Sequence, residues 1–104
     1  MENKIIALKI NDMDNVATVF GEVAIGTPVK IRDKKGNEQV ITSKGNIPYG
    51  HKIALCNIEQ GMQITKYGEE IGQATANIKA GEYVHVHNLE SIRARGDWEK
   101  GDKK

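Results

Sequence analysis

A single cysteine, Cys56, excludes an intrachain disulfide and a structural zinc site built on several thiolates. A lone thiol fits a reducing compartment, so the expected location is the cytoplasm. Aromatic residues are scarce, at 5%, so the core has to be built from Ile, Val, Leu and Ala. No apolar run approaches the roughly 18 residues of a membrane span, and residues 1–8 lack the long apolar stretch of a signal peptide. An excess of one charge is also missing: 15 basic and 14 acidic residues leave a net charge of +1. Nucleic acid and anionic membrane are therefore not expected partners, because both demand a clustered basic surface. A length of 104 residues suits one domain.

What is present is glycine, eleven of them, between short apolar runs. Residues 4–10, 16–20, 27–31 and 38–42 read as strands. Asp12-Met13-Asp14-Asn15 and Asp33-Lys34-Lys35-Gly36-Asn37 read as the turns between them. Residues 53–55 continue into Cys56-Asn57-Ile58-Glu59, where a short helical turn is expected. A weak repeat links residues 23–31, 57–65 and 77–86. Each copy has an apolar residue, a turn, a glycine, two variable positions and then an alternating strand. The glycine is expected to take a positive φ where the chain reverses. The pattern predicts an all-β domain of short strands over residues 1–89, with one or two short helical turns. Residues 90–104 form a charged tail with one large apolar side chain, Trp98, suited to docking on a partner or on the domain itself.

The chemistry-bearing residues concentrate in Gly81-Glu82-Tyr83-Val84-His85-Val86-His87-Asn88. Read as one strand, this segment puts Tyr83, His85 and His87 on one face, with Val84 and Val86 on the other. A His-x-His pair on a strand can aim two imidazoles at one metal, and His51 is the third histidine available. The plain alternative is surface or hydrogen-bonded histidines. His51-Lys52, after Gly50, suits a carboxylate substrate, with the imidazole acting as acid or base near neutral pH. Arg93 and Arg95 offer guanidinium forks for carboxylates. Cys56, with no charge run beside it, reads as a small core residue. Gly68-Glu69-Glu70-Ile71-Gly72 lacks the Lys-Ser/Thr of a phosphate loop.

Four blocks together resemble a known family. Gly50-His51-Lys52-Ile53-Ala54-Leu55, Lys66-Tyr67-Gly68-Glu69-Glu70-Ile71-Gly72-Gln73-Ala74, Gly81-Glu82-Tyr83-Val84-His85-Val86-His87-Asn88-Leu89 and Glu90-Ser91-Ile92-Arg93-Ala94-Arg95-Gly96-Asp97 are similar to the SAF domain of altronate/galactarate dehydratases. The resemblance implies a β-clip, a small β structure bent over on itself. It implies the small subunit of a sugar-acid hydro-lyase whose large catalytic subunit is a separate chain. It further implies a divalent metal, Fe(II) or Mn(II), shared with that subunit. His51, His85 and His87 would face the joint active site, with His85 and His87 as metal ligands and Lys52, Arg93 and Arg95 on the substrate. The base is expected on the large subunit. Two alternatives stand beside this reading: the small subunit of a (2R)-sulfolactate sulfo-lyase, and a non-catalytic β-clip module that binds carbohydrate. Self-association is left open.

Overall fold

The computed structural model describes residues 5–91, and every regular element in them is a strand. The strands are β1 (Ile5–Lys9), β2 (Val16–Val19), β3 (Pro28–Asp33), β4 (Glu38–Thr42), β5 (Lys52–Ala54), β6 (Gln63–Lys66), β7 (Glu69–Ala74), β8 (Tyr83–Val84) and β9 (Leu89–Ser91). Six form one sheet in the order β4-β3-β1-β2-β5-β8, and three form a second in the order β6-β7-β9. The all-β expectation holds. The expected domain boundary after residue 89 falls inside β9, and the tail from residue 92 onward lies outside the described residues. No helix among the described residues is long and apolar enough to cross a membrane.

One turn recurs four times and organises the molecule. In Val23-Ala24-Ile25-Gly26, Ile47-Pro48-Tyr49-Gly50, Ile58-Glu59-Gln60-Gly61 and Ile78-Lys79-Ala80-Gly81, the fourth residue is a glycine at φ +86°, +82°, +91° and +93°. In each copy the residue after the glycine donates its N–H to a carbonyl three residues back: Thr27 to Ala24, His51 to Pro48, Met62 to Glu59 and Glu82 to Lys79, at 2.9–3.1 Å. A positive φ at the third turn position is the type II requirement, which only glycine meets without strain. Six residues after each leading Val or Ile comes a second buried one: Val29, Ile53, Ile64 and Val84. These eight residues supply much of both cores.

The four copies pair two by two, through isolated bridges Val23↔Ile47 and Ile58↔Ile78. Asparagines just before the leading residue cap the partner's turn. Asn57 Oδ1 accepts from Ala80 N at 3.0 Å, Asn77 Oδ1 from Gln60 N at 2.8 Å, and Asn46 Oδ1 from Ile25 N at 2.9 Å. Three of the copies, within residues 23–31, 57–65 and 77–86, are legible in the sequence. The fourth, 47–53, was hidden by Pro48 and Tyr49, although its Ile-x-x-Gly-x-x-Ile spacing is the same.

Three expectations are corrected. The segment 56–59 is not a helical turn: Ile58 is spent on the bridge to Ile78, which leaves no room for helical hydrogen bonding. Cys56 is exposed, because it sits in the link between β5 and that bridge, while Ala54 and Ile58 turn inward on either side. The run 81–88 is not one strand, as described below.

The β6–β7 hairpin closes through Tyr67 (φ 59°) and Gly68 (φ 75°), two positive values in a two-residue loop. This is the I′ pattern that matches strand twist. Buried Asp14 anchors it, accepting Gly68 N at Oδ1 (2.8 Å) and Asn11 N at Oδ2 (3.1 Å). The hairpin brings Lys66 and Tyr67 within electrostatic reach of Lys52 on β5.

Candidate functional site

The site is made by one antiparallel pairing. In β5 and β8, Ile53 stands opposite Tyr83 and Lys52 opposite Val84. The next rung of that ladder is residue 51 against residue 85. The rings of His51 and His85 accordingly lie 4.6 Å apart between centroids, at 53°. The chain does not continue as a strand past Val84. Asn88, buried, folds it back: its Nδ2 donates to Tyr83 O at 2.9 Å, its Oδ1 accepts His85 N at 3.0 Å, and its own N–H donates to His85 O at 3.0 Å. The expected alternation over 81–88 therefore fails after Val84, and Val86 is 76% exposed. Asn88 can satisfy three backbone groups at once, which an extended strand has no means to do.

The turn still gathers the aromatic rings. Tyr83 stacks on His85 (5.7 Å, 9°) and meets His87 (5.2 Å, 50°) and His51 (5.5 Å, 61°). Its hydroxyl shares a 2.8 Å hydrogen bond with His51 Nδ1. Tyr83 is thus the hub of the cluster, a role the sequence reading did not give it. The signal was present, since Tyr83 shares the period-two face with His85.

Burial and neighbouring positive charge act together on two groups of this region. Burial lowers the His85 pKa from its usual 6.5, helped by the neighbouring His51, Lys52 and His87. Burial also lowers the Lys52 pKa, as does the charge of Lys66, while Tyr67 opposes the shift. His85 is then a neutral imidazole at pH 7, able to accept a proton, in a neighbourhood that carries ammonium groups. A histidine with a lowered folded pKa binds fewer protons folded than unfolded just below 6.5. Its stability contribution is present above that pH and is lost as pH falls. The His85 Cε1–H resonance is expected to titrate below 6.5, and Lys52→Gln to move its midpoint upward. An NMR pH titration of both forms checks this, and an unchanged midpoint in Lys52→Gln would remove Lys52 from the cluster.

His51, His85 and His87 gather around Tyr83, whereas Lys52, paired with Val84, leaves the sheet on the opposite face and reaches His85 through its charge alone. Arg93 and Arg95 lie outside the described residues. Among the described residues, no group of three or more His, Cys, Asp or Glu side chains is placed to hold a metal ion. The cluster by itself therefore does not fit a resident Fe(II) or Mn(II), and no chemical step below runs through one. Gly50 serves the type II turn that starts β5, with nothing within 4 Å of an added Cβ, so the turn explains it without a ligand. Beside the cluster opens a cleft of about 410 Å³, lined by Glu22, Val23, Ala24, Asn46, Ile47, Pro48 and Tyr83. Its size falls in the range of small-ligand sites.

Residues 5–92 match the family described as "Altronate/galactarate dehydratase SAF domain". The chain is 41% identical over 81 residues to altronate dehydratase of Escherichia coli (strain K12), a match covering 78% of this chain and 15% of that protein. It is 33% identical over 91 residues to altronate dehydratase of Bacillus subtilis (strain 168), covering 81% and 16%. It is also 40% identical over 53 residues to "(2R)-sulfolactate sulfo-lyase subunit alpha" of Paracoccus pantotrophus, covering 51% of this chain and 79% of that subunit. The chain thus spans about one sixth of the altronate dehydratases it matches.

Proposed function

The chain belongs to the altronate/galactarate dehydratase SAF domain family, and we propose on that premise that it is the small subunit of a hydro-lyase acting on a sugar acid. One observation supports the reading above the rest: within this fold, the β5–β8 pairing brings the rings of His51 and His85 to 4.6 Å, and Tyr83 joins them. The sulfolactate relative shows that such a domain occurs as a named subunit, since 79% of that subunit matches.

The chemistry follows from the charges. Dehydrating a 2,3-dihydroxy acid removes the proton beside the carboxylate and expels the neighbouring hydroxyl. The intermediate gathers negative charge on the carboxylate oxygens, which cations stabilise. Lys52 supplies that charge from this chain. His51, its Nδ1 held by the Tyr83 hydroxyl, presents Nε2 for proton transfer to the departing hydroxyl. His85 and His87 complete the wall and bind the acid. The base that takes the carbon-bound proton belongs to the large subunit, as do the main ligands of any divalent ion. Arg93 and Arg95 extend carboxylate binding.

The test is reconstitution. The chain is combined with its large partner and assayed on altronate, galactarate and (2R)-sulfolactate with Fe(II) or Mn(II). Water elimination from a sugar acid, seen only on mixing, is expected. Sulfite release from sulfolactate alone would favour the sulfo-lyase reading, which the 40% identity to that subunit supports. Sugar-acid binding by this chain with no turnover in any mixture would leave a binding module.

A further inference from the structure

The fourfold turn device is broken at one position, and that position lines the cleft. Three of the four copies place an asparagine just before the leading apolar residue: Asn46, Asn57 and Asn77. Each accepts a backbone N–H of the partner turn. By the same geometry, residue 22 should cap the N–H of Tyr49. It is Glu22, and among the described residues it makes no such bond. Glu22 is exposed, has no ion pair among the described residues, and faces the cleft with Asn46 and Tyr83. Asn46 spends its Oδ1 on Ile25 N, which leaves its amide N–H groups for another acceptor. The cleft therefore offers a carboxylate acceptor, an amide donor and an aromatic wall, and that wall, Tyr83, also contacts the three imidazoles.

We propose that this cleft is a subsite for the hydroxyl-bearing tail of a polyhydroxy acid, and that Glu22 selects acids with one carboxylate over those with two. The inference rests on the sugar-acid reading above and extends it. The carboxylate of the acid goes to Lys52 and the imidazoles. The chain of hydroxyls lies along Tyr83, where Glu22 accepts their hydrogen bonds and Asn46 donates. An acid with a second carboxylate at the far end brings that charge against Glu22, and like charges at hydrogen-bond range repel.

Altronate has one carboxylate and a terminal hydroxyl, whereas galactarate has a carboxylate at each end, so they are the probes. The full chain is titrated with each, and its backbone amides are followed by NMR. Amides at Glu22, Ala24, Ile47 and Tyr83 are expected to shift, with altronate preferred about fivefold, a modest factor because water screens this open site. Glu22→Gln, which keeps shape and removes charge, is expected to bring the two acids within about twofold by the same electrostatics. Unmoved cleft amides with both acids, or a preference that survives Glu22→Gln, overturns the proposal. The kcat/KM ratio for the two acids in the reconstituted complex is the second readout. An active complex whose ratio ignores Glu22→Gln sinks the subsite and spares the hydro-lyase. An inactive complex with the cleft shifts intact does the reverse.

Discussion

Replacing His51 by alanine is expected to lower kcat of the reconstituted lyase by about 10²–10³-fold, the usual scale for losing a positioned proton-transfer group, and His85→Ala, which loses an acid-binding wall, to act mainly on KM. The His51 ring is fixed by the Tyr83 hydroxyl on Nδ1, an orientation that the His85 ring 4.6 Å away does not share. KM should rise less than kcat falls for His51→Ala, because the lost interaction belongs to the departing hydroxyl and forms in the transition state. Tyr83→Phe is expected to cost less, about tenfold, because it keeps the stack on His85 and removes only the hydrogen bond that orients His51. Thermal unfolding of each variant chain separates this from a loss of structure, since the imidazoles are only partly buried and contribute little to either core. A complex carrying both His85→Ala and His87→Ala that turned over normally would defeat the histidine assignment, and the family membership would stand without it.

Gly81→Ala is expected to be the most damaging single methyl in the domain, abolishing the folded state or costing more than about 3 kcal/mol, through backbone strain plus overpacking. Two effects combine. Its φ of +93° is outside the range an L side chain adopts, and an added Cβ would run into the backbone carbonyl of Thr42. That carbonyl cannot move cheaply, because the neighbouring Lys44 N–H bonds to Gly81 O at 2.8 Å, fastening the two segments together. Gly26→Ala isolates the first effect. Its φ is +86° with nothing within 4 Å of the new Cβ, so it should cost only about 1 kcal/mol. Urea unfolding of the two variants compares them directly. Equal losses would mean that the approach of residue 81 to the β4 end does not constrain the fold.

Much of this architecture is legible along the chain. A buried Val or Ile, a glycine three residues on and another Val or Ile after three more appear four times, and local φ preference with side-chain alternation is enough to produce each turn. Short apolar runs between glycine turns and the absence of helical periods point to the same all-β body. The chain was less forthcoming where a local preference met a competing partner. Residues 83–87 are good strand formers, yet Asn88 bends them because its side chain satisfies two backbone groups and its own N–H a third. Cys56 looks like a small core residue, but its place between β5 and the Ile58 bridge turns it outward.

Local chain chemistry dictates the turn device, the strand-rich class and the kind of side chain offered to a ligand. Closure of the whole chain makes neighbours of His51 and His85, 34 positions apart, adds Tyr83 to them, and leaves Glu22 outside the capping role its asparagine counterparts fill. The division arises because φ preferences and alternation act over a few residues. The register of β5 on β8 is set instead by burying Ile53 and Val84 in two different cores at once, a condition satisfied only when the whole chain has closed.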